Sequence, residues 1–189
     1  GTSNNISITN VSSPPPTLSS LSDTICNGDS ITVMAMGAIN YSWSPSIGIS
    51  NNNSNTPTFY PSSTTAYQLT GTNSYGCEAT TNYIIFVNPL PSVNAGSDTS
   101  ITNGQTILIG GNPTATGLGP FTYLWSPGNF ISDSLSSNPL IYPDSSTIYS
   151  LIVTDGNGCT SHDSILVVVN SAQGIDGNQI TSSIQAYPN

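Results

Sequence analysis

The sequence predicts an all-β protein: two tandem Greek-key β-sandwiches joined by a short proline-containing linker. Three observations carry that prediction. The first is an internal repeat, because Trp43 to Cys77 aligns without a gap on Trp125 to Cys159, an interval of 34 residues in both. The second is composition: a single Glu, no Lys and no Arg leave few strong helix formers, while Val, Ile, Thr and Tyr are plentiful. The third is punctuation, since Gly, Pro and Asn clusters divide the chain into short runs of strand length.

The repeat fixes the elements in order. At an offset of 82, Ser44-Pro45 matches Ser126-Pro127, Ile49-Ser50 matches Ile131-Ser132, Pro57 matches Pro139, and Tyr60-Pro61 matches Tyr142-Pro143. Thr65, Tyr67, Leu69, Thr72, Gly76 and Cys77 likewise match Thr147, Tyr149, Leu151, Thr154, Gly158 and Cys159. Upstream the offset falls to 76, with Ile25-Cys26-Asn27-Gly28 over Ile101-Thr102-Asn103-Gly104, so the second copy holds six extra residues in its 113–120 region. Alternation predicts strands over 30–36, 39–43, 57–60, 65–73 and 77–87 in the first copy. In the second it predicts 105–109, 121–125, 138–142, 146–155 and 159–169. Asn73 to Gly76 and Asp155 to Gly158 supply the turn of the last hairpin in each copy. Trp43 and Trp125, at identical places and each two residues after a Tyr, are expected in the cores rather than as platforms for sugars. Exposed aromatic candidates for a carbohydrate face are instead Tyr60, Tyr142 and Phe130.

The expected organisation is a terminal strand and Pro-rich linker over 1–17, sandwiches over 18–88 and 92–170, a stiff linker at 89–91, and a tail over 171–189. The strand-like residues Ile6, Ile8 and Val11 either complete a preceding domain or add to a neighbouring molecule. Three cysteines fit one disulfide and one leftover thiol. Because Thr102 stands where the first copy has Cys26, the repeat points to a Cys26–Cys77 bond, with Cys159 the residue that lost its partner.

These motifs resemble the PKD-like and Ig-like repeats of Bacteroidota cell-surface proteins. The resemblance spans about residues 18–170 and rests on Cys26-Asn27-Gly28-Asp29-Ser30, Tyr41-Ser42-Trp43-Ser44-Pro45, Thr64-Thr65-Ala66-Tyr67 and Gly76-Cys77. In the second copy it rests on Asn94-Ala95-Gly96-Ser97-Asp98, Tyr123-Leu124-Trp125-Ser126-Pro127 and Val153 to Cys159. It implies sandwich spacers of large surface adhesins, gliding-associated proteins or multidomain secreted enzymes, located outside the bacterial cell. The ending Ile184-Gln185-Ala186-Tyr187-Pro188-Asn189 resembles the opening of the type A sorting domain of the type IX secretion system, which implies that machinery as a partner in transit. Six of the eight aspartates precede Ser or Thr. Four of these resemble the Bacteroidota O-glycosylation pattern, making Thr24, Ser30, Ser134 and Ser164 candidate glycan sites; the same pairs also serve as turn residues.

The absence of every Lys and Arg, with a formal charge of −9, removes the groups that cradle phosphate, pair with a nucleic-acid backbone or form Schiff bases. It also leaves trypsin-like proteases without a cleavage site. No run of about 18 apolar residues exists, and Gly1 to Asn10 lack the features of a signal peptide. His162 between Ser161 and Asp163 cannot form a relay on a strand, where neighbours point to opposite faces. Glu78 has no predicted carboxylate partner for hydrolysis, and Cys159 with His162 lacks the further ligands zinc requires. Asp98 and Asp155, with turn carbonyls, are the candidates for calcium. The expectation is therefore a non-enzymatic structural or adhesive stalk without a cofactor. Its partners would be neighbouring repeats of the same polypeptide or filament, and surface glycans. The alternatives are an accessory or carbohydrate-binding module of a secreted enzyme, and a fibre subunit polymerising by strand addition.

Overall fold

Short strands dominate, as β-branched and aromatic alternation demands. A computed structural model describes Ser12 and residues 14–171, and among these every regular element is a strand. In the first copy the strands are β1 (Thr17–Leu18), β2 (Ser22–Cys26), β3 (Ile31–Thr32), β4 (Ala35–Met36), β5 (Asn40–Ser44), β6 (Thr58–Phe59), β7 (Thr65–Thr72) and β8 (Glu78–Asn88). The second repeats them as β9 (Ser92–Val93), β10 (Thr99–Thr102), β11 (Ile107–Leu108), β12 (Ala115–Thr116), β13 (Thr122–Ser126), β14 (Leu140–Ile141), β15 (Thr147–Thr154) and β16 (Thr160–Asn170).

Both copies share one topology. Four-stranded sheets run β2-β8-β7-β5 and β10-β16-β15-β13, and two-stranded ladders pair β3 with β6, β1 with β4, β11 with β14 and β9 with β12. The sheets are antiparallel except at one edge, where β2 lies parallel to β8 and β10 parallel to β16. Register follows the repeat: Trp43 sits opposite Leu69, and Trp125 opposite Leu151. The chain forms two compact units, one ending at Pro91 but including Asp155–Cys159, the other made of Ser92–Thr154 and the chain from Thr160.

Each copy builds its own core from inward-facing positions. In the first, Trp43, Phe59, Tyr67, Leu69, Tyr83 and Ile85 are almost wholly buried, and Phe59 packs edge-on against Trp43 at 5.0 Å and Tyr67 at 4.7 Å. In the second, Ile141 and Ile165 occupy the positions of Phe59 and Tyr83, so the core around Trp125 is mainly aliphatic. Each buried indole donates to a backbone carbonyl at 3.0 Å, Trp43 to Ser54 and Trp125 to Ser136. A buried N–H needs such a partner; both tryptophans are 1% exposed.

Two sequence expectations change. The single strand expected over 30–36 is divided into β3 and β4, which pair with different partners, β3 with β6 and β4 with β1. In the second copy the extra residues flank β12 on both sides: 109–114 stands where the first copy has 33–34, and 117–121 where it has 37–39. In the longer of these loops the single Thr114 hydroxyl proton is shared between the carbonyls of Gly111 (3.0 Å) and Ser137 (3.1 Å), and the residue is almost fully buried.

Candidate functional site

The covalent feature of the structure is a disulfide between Cys26 and Cys159, with a Cα–Cα distance of 5.6 Å. The expected Cys26–Cys77 bond is thereby corrected. Its failure is geometric. The parallel pairing sets Cys26 opposite Asn88, the last residue of β8, whereas Cys77 immediately precedes the first, Glu78. At roughly 3.3 Å per residue, β8 keeps those two cysteines about 35 Å apart. A disulfide spans about 4.4–6.8 Å between Cα atoms. Cys77 takes no part in the bond.

Both ends of the disulfide are held rigidly. Cys26 ends β2, its carbonyl accepts the Asp29 N–H at 3.0 Å, and the adjoining Asn27 N–H donates to the Asn88 carbonyl at 2.9 Å. Gly28 makes this turn possible at φ 97°. Cys159 closes the β15–β16 hairpin, where Asp155 Oδ1 accepts the N–H groups of Asn157 and Cys159, both at 2.9 Å. Asn73 does the same for Tyr75 and Cys77 in the first copy, at 2.9 and 3.0 Å. The Asp155 carboxylate differs in being buried, and among the described residues its Oδ2 has no hydrogen-bond partner.

Beside the disulfide, an open recess of about 620 Å³ is lined by Thr24, Cys26, Gly28, Asp29, Asn88 and Asn157, among others. Asp29 is the one carboxylate in its lining. Among the described residues, no three His, Cys, Asp or Glu side chains converge as a metal site would require. The calcium candidates are occupied by backbone groups: Asp98 Oδ1 accepts the Leu166 N–H at 2.8 Å, and Asp155 Oδ1 serves its hairpin.

The remaining candidates fall as follows. His162 is exposed on β16 opposite Ile152, while Asp163 turns the other way and accepts the Ala95 N–H at 2.8 Å, so no relay forms. Glu78 is exposed and lies opposite Thr72. Thr24, Ser30 and Ser164 are exposed and Ser134 is half-buried. Two of the neighbouring aspartates hold the fold together: Asp23 Oδ2 accepts from the Tyr83 hydroxyl at 2.7 Å, and Asp133 Oδ1 accepts the Leu135 N–H at 2.9 Å. Burial raises the Tyr83 phenol well above its ordinary range, and its bond to Asp23 adds to the shift. Burial likewise raises Tyr67 and Tyr149. Ile6, Ile8 and Val11 lie outside the described residues, as does the chain after Ser171.

What sequence reasoning missed is a small recess of about 240 Å³ in the first copy, lined by Ile47, Gly48, Tyr60, Pro61, Ser62, Ser63 and Thr65. The signal for it was Tyr60-Pro61 in the repeat; what could not be read was that the loop before it folds back against that pair.

No family model matches this chain, and no curated protein does. Solved structures do. The insect immune protein hemolin aligns at 19% identity over 82% of this chain and 47% of its own, with a TM-score of 0.41. This chain thus spans about half of hemolin. The PKD domain from KIAA 1837 protein aligns at 22% identity over 44% of this chain and 91% of its own, TM-score 0.38. The N-terminal Ig1-2 module of the Drosophila receptor protein tyrosine phosphatase DLAR aligns at 14% identity over 83% of this chain and 100% of its own, TM-score 0.31. These are Ig-like and PKD-like tandem or single domains, and the fold itself rests on the strand pairing described above.

Proposed function

We propose that this chain is a non-enzymatic, tension-bearing stalk segment of an exported bacterial surface protein or filament. The observation that carries the reading is the connectivity of the disulfide. Cys26 and Cys159 are 133 residues apart, so a pull applied to the two ends of the chain passes through the S–S bond and bypasses everything between them. A strap of that kind serves a load-bearing spacer. A disulfide also fits an oxidising, extracellular setting.

The resemblance to Bacteroidota surface repeats and to the opening of a type IX sorting domain supplies the finer reading: delivery to the cell surface by that machinery, with neighbouring repeats as partners. O-glycans on Thr24, Ser30, Ser134 and Ser164 belong to the same proposal, and three of those residues are exposed. An intact mass of native material equal to that of the polypeptide would remove the glycan part. The stalk itself is tested by exchanging residues 18–170, within the parent polypeptide, for an unrelated pair of sandwich domains. Surface presentation and adhesion should both persist. Loss of adhesion with presentation intact would show that these repeats are themselves the functional head.

A further inference from the structure

We infer that the recess beside Tyr60 is a binding site for one neutral pyranose ring of a glycan. The site is additional to the stalk role, which needs no ligand. Its apolar lining includes Tyr60, 52% exposed, and Ile47, 70% exposed. Gly48 also lines it, at φ 65°, packed so closely that a Cβ placed there would meet the Pro61 backbone at 2.8 Å. Ser62 and Ser63 contribute exposed hydroxyls at the rim.

The recess is preorganised. The Tyr60 N–H donates to the Gly48 carbonyl at 2.8 Å, the Tyr60 hydroxyl to the Ile49 carbonyl at 3.3 Å, and the Tyr67 hydroxyl to the Ile47 carbonyl at 2.8 Å. Three successive carbonyls of the loop are thus tied down, and a fixed wall loses little freedom on binding.

The chemistry selects the ligand. An aromatic face beside hydroxyl groups suits the mixed apolar and polar surface of a sugar ring. At about 240 Å³ the space is below the usual range for drug-sized ligands, which fits one ring rather than a chain of them. No charged side chain lines it, and the protein has no Lys or Arg and a charge of −9. Uronates, sialates and sulfated or phosphorylated sugars therefore find no counter-charge, and a neutral sugar remains.

The second copy is a built-in control. Asn129-Phe130 stands where the first copy has Ile47-Gly48. Phe130 adopts φ 60°, a conformation costly for a bulky side chain, and its ring packs edge-on to Tyr142 at 6.1 Å. The second copy thus carries an aromatic side chain at the position of Gly48, where the first copy has Pro61 packed against the glycine, and a polar amide in place of the apolar Ile47.

The test is affinity electrophoresis of the full chain in gels containing dextran, mixed-linkage β-glucan or galactomannan, with hyaluronan as the acidic control. Retardation by at least one neutral polymer and none by hyaluronan is expected. Tyr60→Ala and Ile47→Asn should each weaken the affinity read from retardation at least tenfold, whereas Tyr60→Phe, which keeps the ring and loses only the bond to the Ile49 carbonyl, should weaken it less than that. Asn occurs naturally at the position of the second copy that matches 47, so Ile47→Asn should fold, and thermal melting checks that it and Tyr60→Ala do. No retardation by any neutral polymer, retardation by hyaluronan alone, or unchanged retardation in folded Ile47→Asn and Tyr60→Ala would each overturn the site. Selective capture of a protein with no glycan effect would overturn it in favour of a protein ligand.

Discussion

Pulling on the chain by its two ends should reveal a locked length that reduction releases. The Cys26–Cys159 bond spans a sequence separation of 133 residues. At roughly 3.3–3.6 Å per extended residue, that segment holds about 450 Å of contour. In optical tweezers or force microscopy, the oxidised chain should extend only through the residues outside the loop. Adding dithiothreitol, or replacing Cys26 with Ser, should add about 450 Å of releasable length. The alternative pairing makes a different prediction. A Cys26–Cys77 bond would lock 51 residues, or roughly 175 Å. Equal unfolding lengths before and after reduction, or an increment near the smaller value, would refute the connectivity and the load path drawn from it.

Further outcomes follow from individual side chains. Tyr67, Tyr83 and Tyr149 hold their protons to higher pH in the folded chain than the ordinary value of about 10. The unfolded state therefore ionises first, and the stability these phenols contribute should be constant below about pH 10 and lost above it; Tyr83→Phe should reduce the slope measured by urea titration between about pH 8 and 11.5, and a slope unchanged by that variant would contradict the assignment. Asp155→Asn keeps the Oδ1 acceptor used by the Asn157 and Cys159 N–H groups, and Asn73 serves the matching turn of the first copy, so stability should change by less than about 1 kcal/mol, whereas Asp155→Ala, which removes that acceptor, should cost about 1–3 kcal/mol; an Asp155→Ala variant as stable as the parent in urea titration would contradict the capping role. Phe59→Ala, deep in the first core, should cost about 3–5 kcal/mol in chemical denaturation, with a loss under about 1 kcal/mol counting against the aromatic cluster. Trypsin should leave even the urea-unfolded chain uncut, because no Lys or Arg is present; an internal fragment would contradict that.

Much of the fold was legible because the repeat doubled every signal. Trp43 and Trp125 fall in the same register against Leu69 and Leu151, and the hairpins turn at Asn73 and Asp155, where side-chain oxygens cap the turn. These are local patterns with local causes. The disulfide was illegible for the opposite reason. Which cysteine can reach Cys26 depends on β2 running parallel to β8, and no alternation or turn residue encodes that long-range choice. The repeat argued for the nearest partner, and strand direction overruled it. The split of the 30–36 segment has a similar origin, since its two halves pair with different distant strands, β6 and β1. The Tyr60 recess depends on three loop carbonyls being caught at once by Tyr60 and Tyr67, although Tyr60 itself was legible as an exposed aromatic.

Non-reducing peptide mapping reaches the load-bearing strap most directly. Digestion of native, alkylated protein with chymotrypsin at mildly acidic pH, followed by mass spectrometry, should yield one cross-linked pair carrying Cys26 and Cys159, with Cys77 in neither peptide. A pair joining Cys26 to Cys77, or Cys26 and Cys159 both recovered alkylated, would contradict it.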